Sequence, residues 1–120
     1  MKRDTKMHQV IARYKVKPDR AEENLELVRA VYDELERTKP AGLRYATFLL
    51  DDGVSFVHIA EADADPNPLP EVAAFQEFQR EIADRCEEQP QVSEVQVVGA
   101  YRFFGAEATL RPNPVLPSGD

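Results

Sequence analysis

Two strand-like runs joined by a tight-turn signal occupy the middle of the chain, and this feature most constrains the fold. Residues 43–50 and 54–61 are rich in aromatic and β-branched side chains, and Asp51-Asp52-Gly53 lies between them. An Asp-Gly pair favours a short hairpin because glycine accepts the positive φ angle that such turns require. The pattern therefore predicts two adjacent antiparallel strands.

The turn signal leaves two strand registers open. A two-residue turn pairs Arg44 with Glu61 and places His58 opposite Thr47. A three-residue turn with a glycine bulge places His58 opposite Ala46 instead. The two registers differ in the face on which His58 meets its neighbours.

Two helical patterns flank this hairpin. Residues 20–37 follow Lys17-Pro18-Asp19, in which Asp19 is an expected N-cap with Glu22 three residues later. Residues 70–87 begin with a proline, which the first turn of a helix tolerates, and we expect residues 88–90 to end this helix. The first apolar stripe comprises Ala21, Leu25, Val28, Tyr32 and Leu35, and the second comprises Val72, Phe75, Phe78, Ile82 and Cys86.

Two further strand patterns lie outside the helices, at residues 7–16 and 92–104. Both show the two-residue alternation of a strand. The predicted order is therefore β-α-β-β-α-β, an α+β, ferredoxin-like fold. We expect one domain over residues 7–104 and a proline-rich C-terminal tail over residues 105–120.

The second face of this sheet is also largely apolar. A four-stranded sheet with two helices needs only one apolar face, and a monomer rarely leaves such a surface exposed. We therefore expect a homodimer in which two sheets face each other. The residues concerned are Ala46, Phe48, Leu50, Val57, Ile59, Val98, Ala100 and Phe104.

Composition excludes several classes of protein. The net charge of −7 argues against a nucleic-acid partner, and no apolar run approaches the length of a membrane span. A single cysteine, Cys86, excludes an intramolecular disulfide and any zinc site needing two cysteines; we expect it to be a small buried residue at a helix end. The prediction is a cytoplasmic protein.

Several segments resemble the dimeric α+β barrel superfamily, and most of all its antibiotic biosynthesis monooxygenase (ABM) branch. Residues 11–23 resemble the first strand, turn and acidic helix start of that family. Pro40-Ala41-Gly42-Leu43-Arg44-Tyr45 resembles its Pro-Gly-x-x-x-Tyr motif with an alanine inserted, and residues 70–82 occupy the place of its second helix. The resemblance covers roughly residues 8–104.

The resemblance implies a small-molecule pocket between the sheet and the helices of each subunit. Some members oxidise aromatic polyketides, anthrones or quinols with O2 and without metal or flavin, so no cofactor is expected. Others degrade haem, isomerise lactones or have no assigned activity. This chain has no tryptophan and no histidine in its second helix, which argues against haem degradation.

The two histidines, His8 and His58, lie on strands that the ferredoxin-like order makes neighbours. An imidazole titrates near neutral pH and can take a proton from a phenol or enol, so His58 is the candidate catalytic base. A histidine hydrogen-bonded in the core is the structural alternative. Two histidines without an assured third ligand do not predict a metal site.

Four other side chains are candidates for substrate binding. Tyr14 and Tyr45 could hydrogen-bond a polar aromatic ligand within an apolar pocket, although tyrosine is also ordinary core material. A buried Arg44 could hold an enolate or carboxylate, and the alternative is an ion pair with Glu61. Asn24 lies beside the first helical stripe, where it could supply a hydrogen bond or be exposed.

These observations predict an ABM-like homodimer that takes an apolar or aromatic small molecule into its pocket. A cofactor-independent monooxygenase acting on an aromatic or quinol-type substrate is the leading interpretation. A non-catalytic binding or interaction protein, and a proton-transfer isomerase or lyase on the same fold, remain the alternatives. The enzyme assignment rests on the family resemblance, because a fold does not fix a function.

Overall fold

The computed structural model describes residues 8–63 and 66–103. It contains one antiparallel sheet of four strands in the order β2-β3-β1-β4. The strands are β1 (His8–Val16), β2 (Leu43–Leu49), β3 (Ser55–Ala62) and β4 (Cys86–Glu94), and the helices are α1 (Ala21–Thr38), α2 (Ala73–Arg80) and α3 (Ile82–Arg85). The predicted α+β, ferredoxin-like order is confirmed. In these ranges no helix is long and apolar enough to cross a membrane.

The central hairpin has the register of the two-residue turn. Arg44 pairs with Glu61, and Thr47 pairs with His58. Gly53 has a φ angle of 78° and donates its N–H to the carbonyl of residue 50 at 3.0 Å. The glycine therefore closes the turn in the left-handed conformation that its sequence position indicated.

Helix α1 begins differently from the sequence-based expectation. A 3-10 turn, Pro18–Arg20, precedes the helix, so Asp19 is not its N-cap, and no side-chain oxygen caps the first turn. The last turn ends at Lys39, whose φ of 47° is left-handed and whose N–H donates to the carbonyl of Leu35 at 2.8 Å. The Asp19 prediction was wrong because Pro18 starts a separate 3-10 turn three residues before the helix begins at Ala21.

The second helical segment is shorter than predicted. Helix α2 ends at Arg80, and Glu81, with φ −129° and ψ 32°, separates it from the single turn of α3. Helix α1 contributes to its start, because the Glu34 carboxylate accepts the N–H groups of Ala73 at 3.3 Å and Ala74 at 2.8 Å. This carboxylate satisfies two of the orphan donors at the N-terminus of α2.

The last strand was predicted at residues 92–104 and is found at Cys86–Glu94. Pro90 lies inside it, which an edge strand tolerates because its outer N–H positions need no partner. Its pairing with β1 ends where Val95 donates its N–H to the carbonyl of Gln9, close to the start of β1 at His8. Residues 96–103 therefore extend past the end of the neighbouring strand.

The core lies between the helices and one face of the sheet. Alternate side chains of β1 and β3 point towards α1, and Val16 and Phe56 are fully buried there with Val31 of the helix. Cys86 is buried at a helix end, as predicted: it is the C-cap residue of α3 and also the first residue of β4. The predicted tail, residues 105–120, and Phe104 lie outside the described residues.

Candidate functional site

His58 lies on the core-facing side of β3 and is only 6% exposed. Its Nε2 is 2.8 Å from the hydroxyl of Tyr14. Its Nδ1 is 2.9 Å from the hydroxyl of Tyr45 and 3.0 Å from Oγ1 of Thr47. Both ring nitrogens are therefore hydrogen-bonded to side-chain hydroxyl groups from the two neighbouring strands.

The hydrogen bonds continue from Tyr14 into the helices. Asn24 of α1 donates from Nδ2 to the Tyr14 hydroxyl at 2.9 Å and accepts at Oδ1 from Nε of Arg85 at 3.0 Å. Arg85 also donates from Nη2 to the carbonyl of Phe78 at 2.7 Å. Asn24 and Arg85 are 0% and 1% exposed, so these hydrogen bonds are shielded from water.

A second branch leaves His58 on the β2 side. Thr47 lies directly opposite His58 in the hairpin, and its Oγ1 is 2.8 Å from the hydroxyl of Tyr32 on α1. We call the connected side chains the polar chain: Arg85, Asn24, Tyr14, His58, Tyr45, Thr47 and Tyr32. The polar chain runs from α3 to α1 across the three adjacent strands β1, β3 and β2.

Strand register explains why these side chains meet. His58 pairs with Ala12 of β1, and Tyr14 is the next residue of β1 on the same face. Such diagonal neighbours lie roughly 7–8 Å apart at their backbones, within reach of an aromatic side chain. Tyr45 stands in the same diagonal relation on β2, because Thr47 is the direct partner of His58.

Aromatic rings surround the imidazole. Tyr14 stacks on Phe56 with ring centroids 5.4 Å apart and on His58 at 5.3 Å. Phe78 of α2 lies 5.3 Å from the imidazole centroid, and Phe75 meets Tyr45 edge-on at 6.2 Å. The polar chain is therefore embedded in packed aromatic side chains.

Burial shifts the pKa values of the groups in the polar chain. The pKa of His58 falls from 6.5 to about 4, because burial disfavours the charged imidazolium. Burial also raises the pKa of Tyr14 and of Tyr45 well above 10 and raises the pKa of Tyr32 to about 12. At pH 7 the site thus holds a neutral imidazole between protonated hydroxyl groups.

Two recesses reach parts of the polar chain. The first, about 380 Å³, opens between α1 and α2 and reaches Arg85. The second, about 460 Å³, lies along β1 and β4 and includes Tyr14. Glu23, Glu26, Leu27, Glu77, Arg80 and Glu81 line the rest of the first recess, and Arg13, Glu88, Gln89, Pro90 and Gln91 line the rest of the second.

The structure brings together four of the five predicted site residues, namely His58, Tyr14, Tyr45 and Asn24. Arg44 is not among them, because its position in β2 places it on the opposite face of the sheet. Its side chain is 55% exposed and forms ion pairs with Glu61 and Asp63. The pair with Glu61 is the alternative that the sequence analysis gave for Arg44. His8 is the first residue of β1, and its side chain lies outside the described part.

Sequence reasoning missed Arg85 and Thr47 as members of the site, and it placed Tyr32 in the first helical stripe without selecting it as a site residue. Thr47 carried a usable signal, since the register of the two-residue turn already placed it opposite His58. Arg85 carried none, because a charged residue near a helix end normally faces solvent. Across residues 8–63 and 66–103, no group of three or more His, Cys, Asp or Glu side chains could hold a metal ion.

Comparisons with known proteins bear on the fold. No protein-family model and no curated protein sequence matches this chain. A crystal structure named antibiotic biosynthesis monooxygenase is 23% identical, with a TM-score of 0.62 over 77% of this chain and 99% of that chain. PA3566 from Pseudomonas aeruginosa is 18% identical, with a TM-score of 0.63 over 81% of this chain and 100% of that one. Rv0793 from Mycobacterium tuberculosis is 17% identical, with a TM-score of 0.57 over 79% and 98%.

At these identities the likeness establishes the fold alone. This chain shares the fold of these structures, some of which are named antibiotic biosynthesis monooxygenases. Its activity, substrate and partners do not follow from that fold.

Proposed function

We propose that this protein is a cofactor-independent monooxygenase acting on an aromatic or quinol-type small molecule. The observation that carries the proposal is the buried imidazole of His58, held between the hydroxyl groups of Tyr14 and Tyr45. A neutral imidazole in an apolar, aromatic site is a base that can accept a phenolic or enolic proton. The names of structurally similar proteins support the same class of reaction.

The chemistry requires only a base and an electron-rich substrate. His58 takes a proton from the substrate, and the resulting enolate or phenolate gives its electrons to O2. In the balanced reaction a CH2 group and O2 become a carbonyl group and water, so the substrate supplies all the electrons. One oxygen atom forms the new carbonyl group, and the other leaves as water with the two substrate hydrogens.

Neighbouring side chains would support this step. Burial raises the pKa of Tyr45, which remains a hydrogen-bond donor at pH 7 and can stabilise negative charge as it develops on a substrate oxygen. Asn24 orients Tyr14 through a hydrogen bond of 2.9 Å. The proposal makes no use of Arg44, which lies on the other face of the sheet.

The same base also suits a proton-transfer isomerase or lyase, which would use His58 without consuming O2. A non-catalytic binding protein would use the aromatic surface alone. Oxygen consumption separates the first alternative from the proposal, and turnover separates the second.

An oxygen-electrode assay on metal-stripped protein with a panel of anthrones and quinols tests the proposal. The parent protein should consume one O2 per product, and His58→Gln should reduce the rate about 10²-fold or more, the usual contribution of a general base. The control, Arg37→Gln, changes an exposed residue at the end of α1 and should keep the parent rate. Product formation without O2 uptake would favour the isomerase, and no turnover on the whole panel would reject the enzyme proposal.

We also propose that the protein is a homodimer. The face of the sheet away from the helices carries Ile11, Ile59 and Ala46 side by side across three strands. Beyond the sheet, Val98 is 99% exposed and Tyr101 is 82% exposed. A second copy would cover this apolar surface, which a monomer rarely leaves open. In this arrangement residues 7–104 are the domain and residues 105–120 are an appended tail.

Light scattering during size-exclusion chromatography tests the dimer. The parent should elute at twice 13.6 kDa. Val98→Glu should dissociate it, whereas Gln96→Glu, an equal charge change at a polar neighbour, should not. A parent species at the monomer mass would overturn the proposal.

A further inference from the structure

One residue of the polar chain can only donate hydrogen bonds. That residue fixes the direction of the polar chain, that is, which group donates and which accepts in each successive hydrogen bond. Arg85 has a guanidinium group, which carries donors and no acceptor. Its Nε is 3.0 Å from Asn24, so the atom of the amide that faces Arg85 must be the carbonyl oxygen. The NH2 group of Asn24 then faces Tyr14, at 2.9 Å, as a donor.

The direction passes from Tyr14 to His58. The Tyr14 oxygen accepts from Asn24, and Nε2 of His58 is the other described polar atom within hydrogen-bonding distance of it, at 2.8 Å. If the Tyr14 hydroxyl proton points to Nε2, the Asn24 NH2 group, the Tyr14 hydroxyl group and Nε2 of His58 all have a hydrogen-bond partner. If Nε2 carried the proton instead, the buried Tyr14 hydroxyl proton would have no acceptor there, which disfavours that arrangement on the order of tenfold or more.

We infer that Arg85 is a positioning residue for His58. Acting through Asn24 and Tyr14, it holds the imidazole with its proton on Nδ1 and its lone pair on Nε2. The Nδ1 proton is then shared by the hydroxyl oxygen of Tyr45 and Oγ1 of Thr47, which lie 2.9 and 3.0 Å away. Both are able to accept, so the β2 side of the site fits the same direction.

The direction has a consequence for catalysis that rests on the proposed function. The basic lone pair of His58 faces Tyr14, so a substrate proton reaches the imidazole through the Tyr14 hydroxyl. The phenolic oxygen receives the substrate proton while its own proton moves to Nε2 of His58. No net charge is left on Tyr14, and the positive charge ends on the imidazole.

Nuclear magnetic resonance of the 15N-labelled full-length chain tests the inference without substrate. His8→Gln leaves His58 as the single imidazole. At pH 7 we expect Nε2 to show the shift of an unprotonated nitrogen and Nδ1 to carry the proton. An Nε2–H tautomer, or a fast average of the two tautomers, would overturn the inference.

Substitutions in the same background test the role of Arg85. Asn24→Asp places an acceptor-only carboxylate beside Tyr14, so the tyrosine proton turns away from His58 and Nε2 becomes protonated. Arg85→Met frees the amide to flip and should give a mixture of tautomers, whereas Arg85→Lys retains a donor and should keep the parent pattern. Arg80→Gln removes a nearby charge outside the polar chain and is the control.

The outcomes separate this inference from the proposed function. If Asn24→Asp keeps the parent tautomer, Arg85 does not set the direction, and if Arg85→Met does not fold, Asn24→Asp still decides. An inactive protein with the Nδ1–H tautomer would reject the monooxygenase and keep the inference. An active protein with the Nε2–H tautomer would support the monooxygenase and reject the inference about Arg85.

Discussion

Acidification should destabilise this protein well above the pH at which its carboxylates titrate. Burial lowers the pKa of His58 to about 4, whereas the ordinary value of 6.5 applies in the unfolded chain. The unfolded chain therefore binds a proton more readily than the folded protein between these two values. The stabilisation from the neutral imidazole is fully present above pH 6.5 and is lost as the pH falls towards 4.

The magnitude follows from the difference between the two pKa values. At about 1.4 kcal/mol for each pH unit, the whole contribution is about 3 kcal/mol. About 2 kcal/mol of it is lost between pH 7 and pH 5. The carboxylates of Glu23, Asp52 and Glu61 have lowered pKa values, so they affect the pH dependence of stability mainly below pH 5. Between pH 7 and pH 5 the change in stability therefore comes mainly from His58.

Urea denaturation at pH 7, 6 and 5 measures the effect, with His8→Gln as the parent background. The free energy of unfolding should fall by about 2 kcal/mol across this range. Adding His58→Gln should lower stability at pH 7 but flatten the pH dependence, because the titrating group is gone. A parent stability independent of pH between 7 and 5, or an equal slope in both proteins, would refute the reasoning.

Three substitutions should separate the core, the polar chain and the surface, with urea denaturation as the measurement. Phe56→Ala removes a fully buried ring and should cost about 3–5 kcal/mol, and a loss below 1 kcal/mol would contradict the assigned core. Tyr14→Phe should cost about 2 kcal/mol, because it leaves Nδ2 of Asn24 and Nε2 of His58 without their buried partner, and an unchanged protein would contradict the polar chain. Arg44→Gln should change stability by no more than about 1 kcal/mol, since its ion pairs are largely exposed, and a larger loss would show that it is not a surface residue.

The central hairpin was predictable from its sequence. Asp51-Asp52-Gly53 contains the required turn residues, and the alternating side chains on either side permitted only two registers. The sequence could not choose between them, because both registers pair apolar strands with similar propensities. The observed register, with Thr47 opposite His58, decides which hydroxyl group reaches the imidazole.

The last strand was predicted in the wrong place for a physical reason. Residues 92–104 have stronger strand propensity than residues 86–91, and Pro90 looked like a boundary. The free edge of β1, however, accepts the earlier segment, and bulges between Arg13 and Val16 absorb its extra residues. Long-range pairing thus overrode local propensity.

Most of the candidate site was predictable, but its extension into the helices was not. Tyr14, Tyr45 and His58 could be selected because strand alternation places them on the core side, and Asn24 lies beside a helical stripe. Arg85 is buried in the short helix α3, which follows a break at Glu81, and no residue pattern in the sequence predicted that break. Arg44 was misplaced relative to the others because its parity on β2 puts it on the outer face.

Isotope labelling tests the central claim most directly. The metal-stripped protein is supplied with 18O2 and a substrate that it turns over, and the product is analysed by mass spectrometry. The account predicts one labelled oxygen atom per product molecule and loss of that product with His58→Gln. An unlabelled product, or a labelled product formed equally well by His58→Gln, would contradict it.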